Sequence, residues 1–249
     1  GEDTPAGNRF GTYGNIMQSL RMLDVPGVDA IWRQLFPGQR VHPFPKYASS
    51  AAHQNGNRFA LAEIFAVYGN ALSPAEMRWL VDYMLVRGIN LIVPSKISTC
   101  HREHFMSGIR PHFGRVNPLW PYMKEYHQYI ERSCHLLSLG KPHCPSAVYF
   151  DIRSIWAGGT AMAEAIRRHE DVAKAMSEKQ CDFDYLDDDA LAKARVKNGS
   201  LLVGKMRYRC LVIPTAGHMS DAAKNTLQAF TQAGGTVLDA ASADKAERN

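Results

Sequence analysis

No stretch of this 249-residue sequence is apolar for long enough to cross a bilayer; runs such as 59–68 and 211–214 fall far short of the roughly 20 residues a spanning helix needs. No C-x-x-C pair occurs. The five cysteines (Cys100, Cys134, Cys144, Cys181, Cys210) are odd in number and widely spaced, which argues against a disulfide framework and against a zinc site. G-x-S-x-G, the P-loop and G-x-G-x-x-G are all missing, so the common hydrolase, nucleotide and dinucleotide signatures do not apply. Charge of one sign is not concentrated. The 29 Lys and Arg against 24 Asp and Glu leave a formal +5, scattered without a basic run, so neither a nucleic-acid nor a membrane partner is expected. No internal repeat, low-complexity tract or signal peptide is visible; the chain begins at Gly1 and the compartment stays open.

What is there reads as an α/β protein. An apolar fraction of 45% and a charged fraction of 21% are those of an ordinary globular chain. In the first region (1–142), "VDAIW" (28–32), "FALAEIFAV" (59–67) and "INLIVP" (89–94) read as strands. The segment after the second carries a clear helix signal: Ser73 as cap, Pro74 in the first turn, Glu76 to complete a capping box and Gly88 as stop. Met77, Leu80, Val81, Met84 and Leu85 recur at helical spacing and predict one buried face. A longer helix is expected at about 118–139. Apolar strands alternating with helices imply a parallel sheet covered on both faces. In the second region (143–249) strands are expected at 147–150, 183–186, 210–214 and 235–240, with helices at 160–178 and 220–233, a doubly wound, flavodoxin-like order.

Glu63 is a lone carboxylate inside the otherwise apolar run 59–67. Such a group is costly to bury unless it is paired or protonated, so the residues leave two readings: an ion pair with a neighbouring strand, or a catalytic acid whose proton affinity is raised. The segment just upstream, 43–57, reads as a loop that concentrates Lys46, Ser49, Ser50, His53 and Gln54, groups suited to sugar hydroxyls or simply to water. Tyr68 follows the strand. The segment 98–114 gathers His101, Arg102, Glu103, His104, Arg110 and His112; its H-R-E-H spacing matches no metal motif, and a hydrogen-bonding loop is the better reading. Asp24 and Asp29 are candidates for a second carboxylate or for turn caps. "AGGT" (157–160) opens a helix and could receive an anion there, but reads better as a turn; "PTAGH" (214–218) follows a strand, where amidotransferase-like folds place functional residues, with a cysteine site at Cys181 or Cys210 as a weaker option.

"LDVPGVDAIWRQ", "FPKYASSAAHQNGNRFALAEIFAVYGNALSPAEMRWLVDYMLVRGINLIVP" and "RPHFGRVNPLWPYMKEYHQYIERSCHLLSLG" resemble the later part of the catalytic barrel of α-L-rhamnosidase-type glycoside hydrolases (family 106). Residues 145–240 are similar in pattern to the flavodoxin-like or amidotransferase-like domain that follows that barrel. The resemblance implies a partial (β/α)8 TIM-type barrel, about its last half, followed by that doubly wound domain. It also implies glycosidic hydrolysis by two acidic residues with inversion, and a calcium requirement. By position Glu63 takes the general-acid role, with its partner carboxylate on an earlier strand. Lys46, Ser50, His53, Gln54, Tyr68, His101 and Arg110 then hold a carbohydrate substrate. Where relatives have "VPHAF", this chain has "VPSKIS", with Ser95 and Lys96 altered. The second region is the expected face for self-association. The alternative is a non-catalytic carbohydrate-binding or assembly fragment.

Overall fold

A computed structural model describes residues 14–38, 42–95, 97 and 111–240. After a short helix α1 (Ile16–Leu20) come β1 (Gly27–Ile31), α2 (Pro45–Asn55), β2 (Leu61–Ala66), α3 (Pro74–Leu85) and β3 (Leu91–Pro94). A 3-10 turn at Trp120–Tyr122 then leads into α4 (Met123–Leu139). The three strands pair in chain order, all parallel. Helix α3 forms as its sequence dictates: the Ser73 hydroxyl accepts from the Glu76 amide at 3.2 Å, and the Glu76 carboxylate accepts from the Ser73 amide at 2.8 Å. Its five expected apolar positions are all buried. In α4 Met123 and Ile130 are buried, whereas Leu137 is exposed.

Two expectations need correction. Residues 45–55 are not a loop but α2, opened by Pro45 and closed by Gly56 in the left-handed conformation (φ 76°). Among the described residues the first sheet is covered on one face only. Ala62 and Ile64 are buried under the helices, whereas Glu63 and Val93 are exposed on the opposite face.

The second region continues with β4 (Ser146–Phe150), α5 (Ile152–Ala157), α6 (Gly159–Glu178), β5 (Asp184–Asp187) and α7 (Asp188–Lys193). A small antiparallel sheet follows, β6 (Arg195–Val196), β7 (Leu201–Val203) and β8 (Met206–Tyr208), and then β9 (Cys210–Ile213), α8 (Asp221–Gln232) and β10 (Thr236–Asp239). The main sheet is parallel in the order β10-β9-β4-β5. Alternation along β4 divides its side chains: Val148 and Phe150 join a core shared with Tyr47, Ile64 and Met84 of the first region, while Ala147 and Tyr149 face Leu211 and Phe230. The apolar core is therefore continuous between the two sheets.

Helix α2 forms the seam. Strand β5 is an edge strand, which presents unpaired backbone groups, and α2 supplies their partners. The Tyr185 amide donates to Ser50 Oγ at 2.8 Å, and the Tyr185 carbonyl accepts from Gln54 Nε2 at 2.7 Å. The turn between β7 and β8 docks on the same helix, with the Lys205 amide on the Gln54 carbonyl at 2.8 Å. Gly204 must be glycine there, since its φ is +55° and a Cβ would lie 1.9 Å from that carbonyl oxygen. Gly204→Ala is expected to destabilise the fold by about 2–3 kcal/mol, read as a lower urea midpoint. Gly217→Ala, whose Cβ would meet nothing nearer than 3.7 Å, serves as the control and moves little.

A buried ring cluster fills the seam below α2. His169 of α6 stacks on Tyr185 (centroids 4.4 Å apart) and meets the Tyr47 hydroxyl through Nε2 at 3.3 Å. Burial pushes the imidazole down from 6.5 to about 3, so it is neutral in the fold. The sign of the linkage follows. Between those values the unfolded chain binds a proton that the folded chain refuses, so this contribution is complete above pH 6.5 and is lost as pH falls toward 3. By pH 4 the loss amounts to about 3 kcal/mol. Urea titrations at several pH values are expected to show this acid loss in the parent and its removal in His169→Phe.

Candidate active site

Successive side chains of a strand point to opposite faces, and the pairing register puts Asp29 of β1, Glu63 of β2 and Val93 of β3 in one row. That row lies on the uncovered face. Glu63 is exposed there and Asp29 half-buried. The register thus brings two acidic side chains onto directly opposed positions of adjacent strands.

Just beyond the row the backbone is strained. Register shifts between Ala30 and Ile31, so that Ile31 pairs with Ala66 and Phe65 is the extra residue of a bulge. Phe65 (φ 73°) and Val67 (φ 60°) take left-handed conformations, as do Trp32 (φ 60°) and Arg33 (φ 51°) at the end of β1. Such residues cost about 1–3 kcal/mol each, and they cluster at functional sites. The bulge turns the Phe65 ring into the core, 5.4 Å from Phe113. The carboxyl ends of β1 and β2 are thus shaped at the expense of local backbone comfort, on the edge of a sheet where βα folds present their ligand-binding loops.

The expected site residues divide. Glu63 lies on the open face and is exposed, so among the described residues the apolar enclosure expected around its carboxyl is missing. Tyr68 is buried, with its hydroxyl committed to the Leu35 backbone: it donates to the carbonyl at 3.0 Å and accepts from the amide at 3.3 Å. Burial pushes the phenol up to about 12. Tyr68 therefore fixes the segment after β1 and has no hydroxyl to spare for a sugar. Lys46, Ser50 and Gln54 are enclosed in the seam. Lys46 Nζ pairs with Asp182 at 2.8 Å and lies 3.9 Å from Asp184. Burial alone would lower its ammonium, but Asp184 and then Asp182 outweigh that and hold it above the usual lysine range. His53 Nδ1 meets Asp184 Oδ1 at 2.9 Å. The structure therefore turns the polar residues of α2 away from the Glu63 face and toward β5, which corrects the expectation that they line a sugar loop. His101, Arg110 and Lys96 lie outside the described residues.

At the carboxyl ends of β4 and β9, "PTAGH" does form a cluster. Asp151 accepts from Ser154 Oγ at 2.6 Å and from Thr215 Oγ1 at 2.9 Å, and Ser154 Oγ is 3.0 Å from His218 Nδ1. Ser154 Oγ thus lies between the Asp151 carboxylate and the His218 ring. Burial pushes the Cys210 and Cys144 thiols up, the reverse of what a thiolate nucleophile needs. Cys181 is exposed, its Sγ facing the Lys179 carbonyl at 3.6 Å. The cysteine-site option has no support in this geometry. Calcium takes six to eight oxygen ligands. Asp29 and Glu63 are only a pair, and among the described residues no three His, Cys, Asp or Glu side chains are grouped to hold a metal. These residues do not by themselves make a calcium cage.

Parallel βα units with acidic side chains on an open face fit a partial TIM-type domain. The family model for alpha-L-rhamnosidase, glycoside hydrolase family 106, matches residues 6–246, and the chain belongs to that family. Among solved structures, the rhamnosidase from Novosphingobium sp. PP1Y is similar at TM-score 0.69 and 21% identity, covering 93% of this chain and 22% of that one. The GH42 beta-galactosidase Gan42B matches at TM-score 0.59 and 14% identity, over 90% of this chain and 34% of that one. A beta-galactosidase from the psychrophilic Marinomonas ef1 matches at TM-score 0.50 and 15% identity, over 93% and 38% respectively. The chain thus spans about a fifth to two fifths of these structures. No curated protein sequence matches it. No helix among the described residues is long and apolar enough to cross a membrane.

Proposed function

We propose that this chain contributes a catalytic carboxylate to an α-L-rhamnosidase, and that Glu63 is that carboxylate. The observation that carries the proposal is the placement of Glu63, exposed and in register with Asp29 on the uncovered face of a parallel βα sheet. The family membership supports it by giving the chemistry that such a face would serve.

Exposure changes the role first expected. A general acid is favoured by apolar enclosure of its carboxyl, and Glu63, exposed to solvent, lacks that enclosure among the described residues. Glu63 is therefore assigned the general base, removing a proton from the water that attacks the anomeric carbon. Inverting hydrolysis keeps the two carboxyls about 6.5–9.5 Å apart to admit that water, whereas directly opposed positions on adjacent strands are only about 5 Å apart. Asp29 is thus a charged neighbour, and the general acid lies across the open face on a strand beyond these three. On this reading residues 1–142 are the C-terminal part of a (β/α)8 barrel completed by other strands of a longer polypeptide. Residues 143–249 are a flavodoxin-like domain, whose order β5-β4-β9-β10 supports that assignment.

The test is hydrolysis of aryl α-L-rhamnosides by the complete enzyme, with the anomer of the released sugar followed by proton NMR. Release of the inverted sugar is expected. Release of the retained sugar, or cleavage of other aryl glycosides in preference, contradicts the assignment.

A further inference from the structure

The polar stripe of α2 leaves one group uncommitted. His53 gives Nδ1 to the buried Asp184, and its Nε2 has no hydrogen-bond partner among the described residues. Asp184 is itself fixed, accepting from the Tyr208 hydroxyl at 2.9 Å with Lys46 close by. A carboxylate that holds one imidazole nitrogen sets the ring's orientation and directs the other outward. His53 lines a cleft of about 950 Å³ between the amino ends of β2 and β3, the end of α4 and the turn between β7 and β8.

The charge around this cleft is unbalanced. Arg58, Lys141 and Lys205 line it, and Asp182 is the one acid among the described lining residues. Asp182 is already paired with Lys46 at 2.8 Å. Arg58 reaches Ser138 Oγ at 3.1 Å with one nitrogen, which leaves its other donors unspent. None of the three cations has an acidic partner among the described residues. The wall beside them is apolar, formed by Leu85, Val86 and Met206. Uncompensated cations in a concave site with low-dielectric walls concentrate anions there, and the volume falls in the range of small-molecule sites, about 300–1,000 Å³.

We propose that this cleft binds a small hydroxylated ligand carrying a carboxylate or phosphate. Lys205, Lys141 and Arg58 hold the oxyanion, and His53, oriented by Asp184, meets a neighbouring hydroxyl through Nε2. The proposal does not depend on the hydrolytic reading, because it concerns binding at the amino ends of the strands.

The test is an NMR titration of the 15N-histidine-labelled protein, following the His53 imidazole signals against galacturonate, inorganic phosphate and, as the neutral control, L-rhamnose. A saturable His53 shift with galacturonate or phosphate and none with L-rhamnose is the expected result. Lys205→Ala and Lys141→Ala, at exposed positions where folding is not at stake, each raise Kd about tenfold. Saturation by galacturonate but not phosphate identifies a sugar acid as the ligand class; tighter binding of phosphate identifies a phosphate ester. Absence of a shift with either anion overturns the proposal, and so does an equal response to L-rhamnose or a shift that both lysine variants leave unchanged.

Discussion

Replacing Glu63 with Gln in the complete enzyme lowers kcat on aryl α-L-rhamnosides by about 10²–10⁴-fold, the range that general acid–base catalysis contributes. The substitution keeps the shape of the side chain and removes its charge. Glu63 is exposed, so stability changes by no more than the small amount typical of surface substitutions, about 0.5 kcal/mol. Binding also changes little if the interaction is made only in the transition state, so the loss falls on kcat and on kcat/KM alike. The leaving group separates base from acid. A general acid matters most for poor leaving groups, whose oxygen needs the proton. Loss of a base slows attack by water for every substrate. The rate deficit of Glu63→Gln is therefore expected to be similar for nitrophenyl and for alkyl rhamnosides, and a deficit confined to the alkyl substrates returns Glu63 to the acid role.

Asp184→Ala has the second large effect, on folding. Asp184 is fully buried and accepts from His53 at 2.9 Å and Tyr208 at 2.9 Å, with Lys46 at 3.9 Å. Its removal leaves the buried Lys46 with only the half-exposed Asp182 as counter-charge. Breaking one side of a buried charged network costs about 3–5 kcal/mol, which for a chain of this size lowers the melting temperature by roughly 10 °C. Differential scanning calorimetry measures it directly. A shift of only a degree or two contradicts the view that α2 joins the two sheets through this network.

The parts of the fold set by local chemistry were legible. The capping box at Ser73 and Glu76, the helical spacing from Met77 to Leu85 and the apolar runs of β2, β3, β4 and β9 are short-range signals, and each formed where expected. The sequence of α2 reads as a loop because its residues are mostly small and polar. Pro45 in the first turn and Gly56 at the end were the available signs. Asn198-Gly199, with φ of 48° and 63°, marks the turn between β6 and β7 in the way Asn-Gly marks tight hairpins; it was overlooked because the flanking strands are two and three residues long.

The site was legible in kind but not in environment. Glu63 stands out in any reading of β2, yet the sequence pattern cannot say whether the face it occupies is covered. That depends on how many strands the sheet has and what lies over them, and an apolar run suits a sheet covered on one side as well as on two. The pairing of Glu63 with Asp29 depends on register between strands more than thirty residues apart, which no periodicity within one segment encodes. The same limit hid the destination of Lys46, Ser50 and Gln54, because their partners Asp182, Asp184 and Tyr185 lie some 130 residues away.

Chemical rescue addresses Glu63 most directly. In Glu63→Ala the carboxylate that would deprotonate water is gone and a space is left beside the anomeric carbon. Azide enters that space and attacks without needing a base. With an activated aryl α-L-rhamnoside, added azide is expected to restore turnover in a concentration-dependent way and to yield the rhamnosyl azide of inverted configuration by NMR. If azide leaves the variant's rate unchanged while the parent enzyme is active, Glu63 is not the group that activates water.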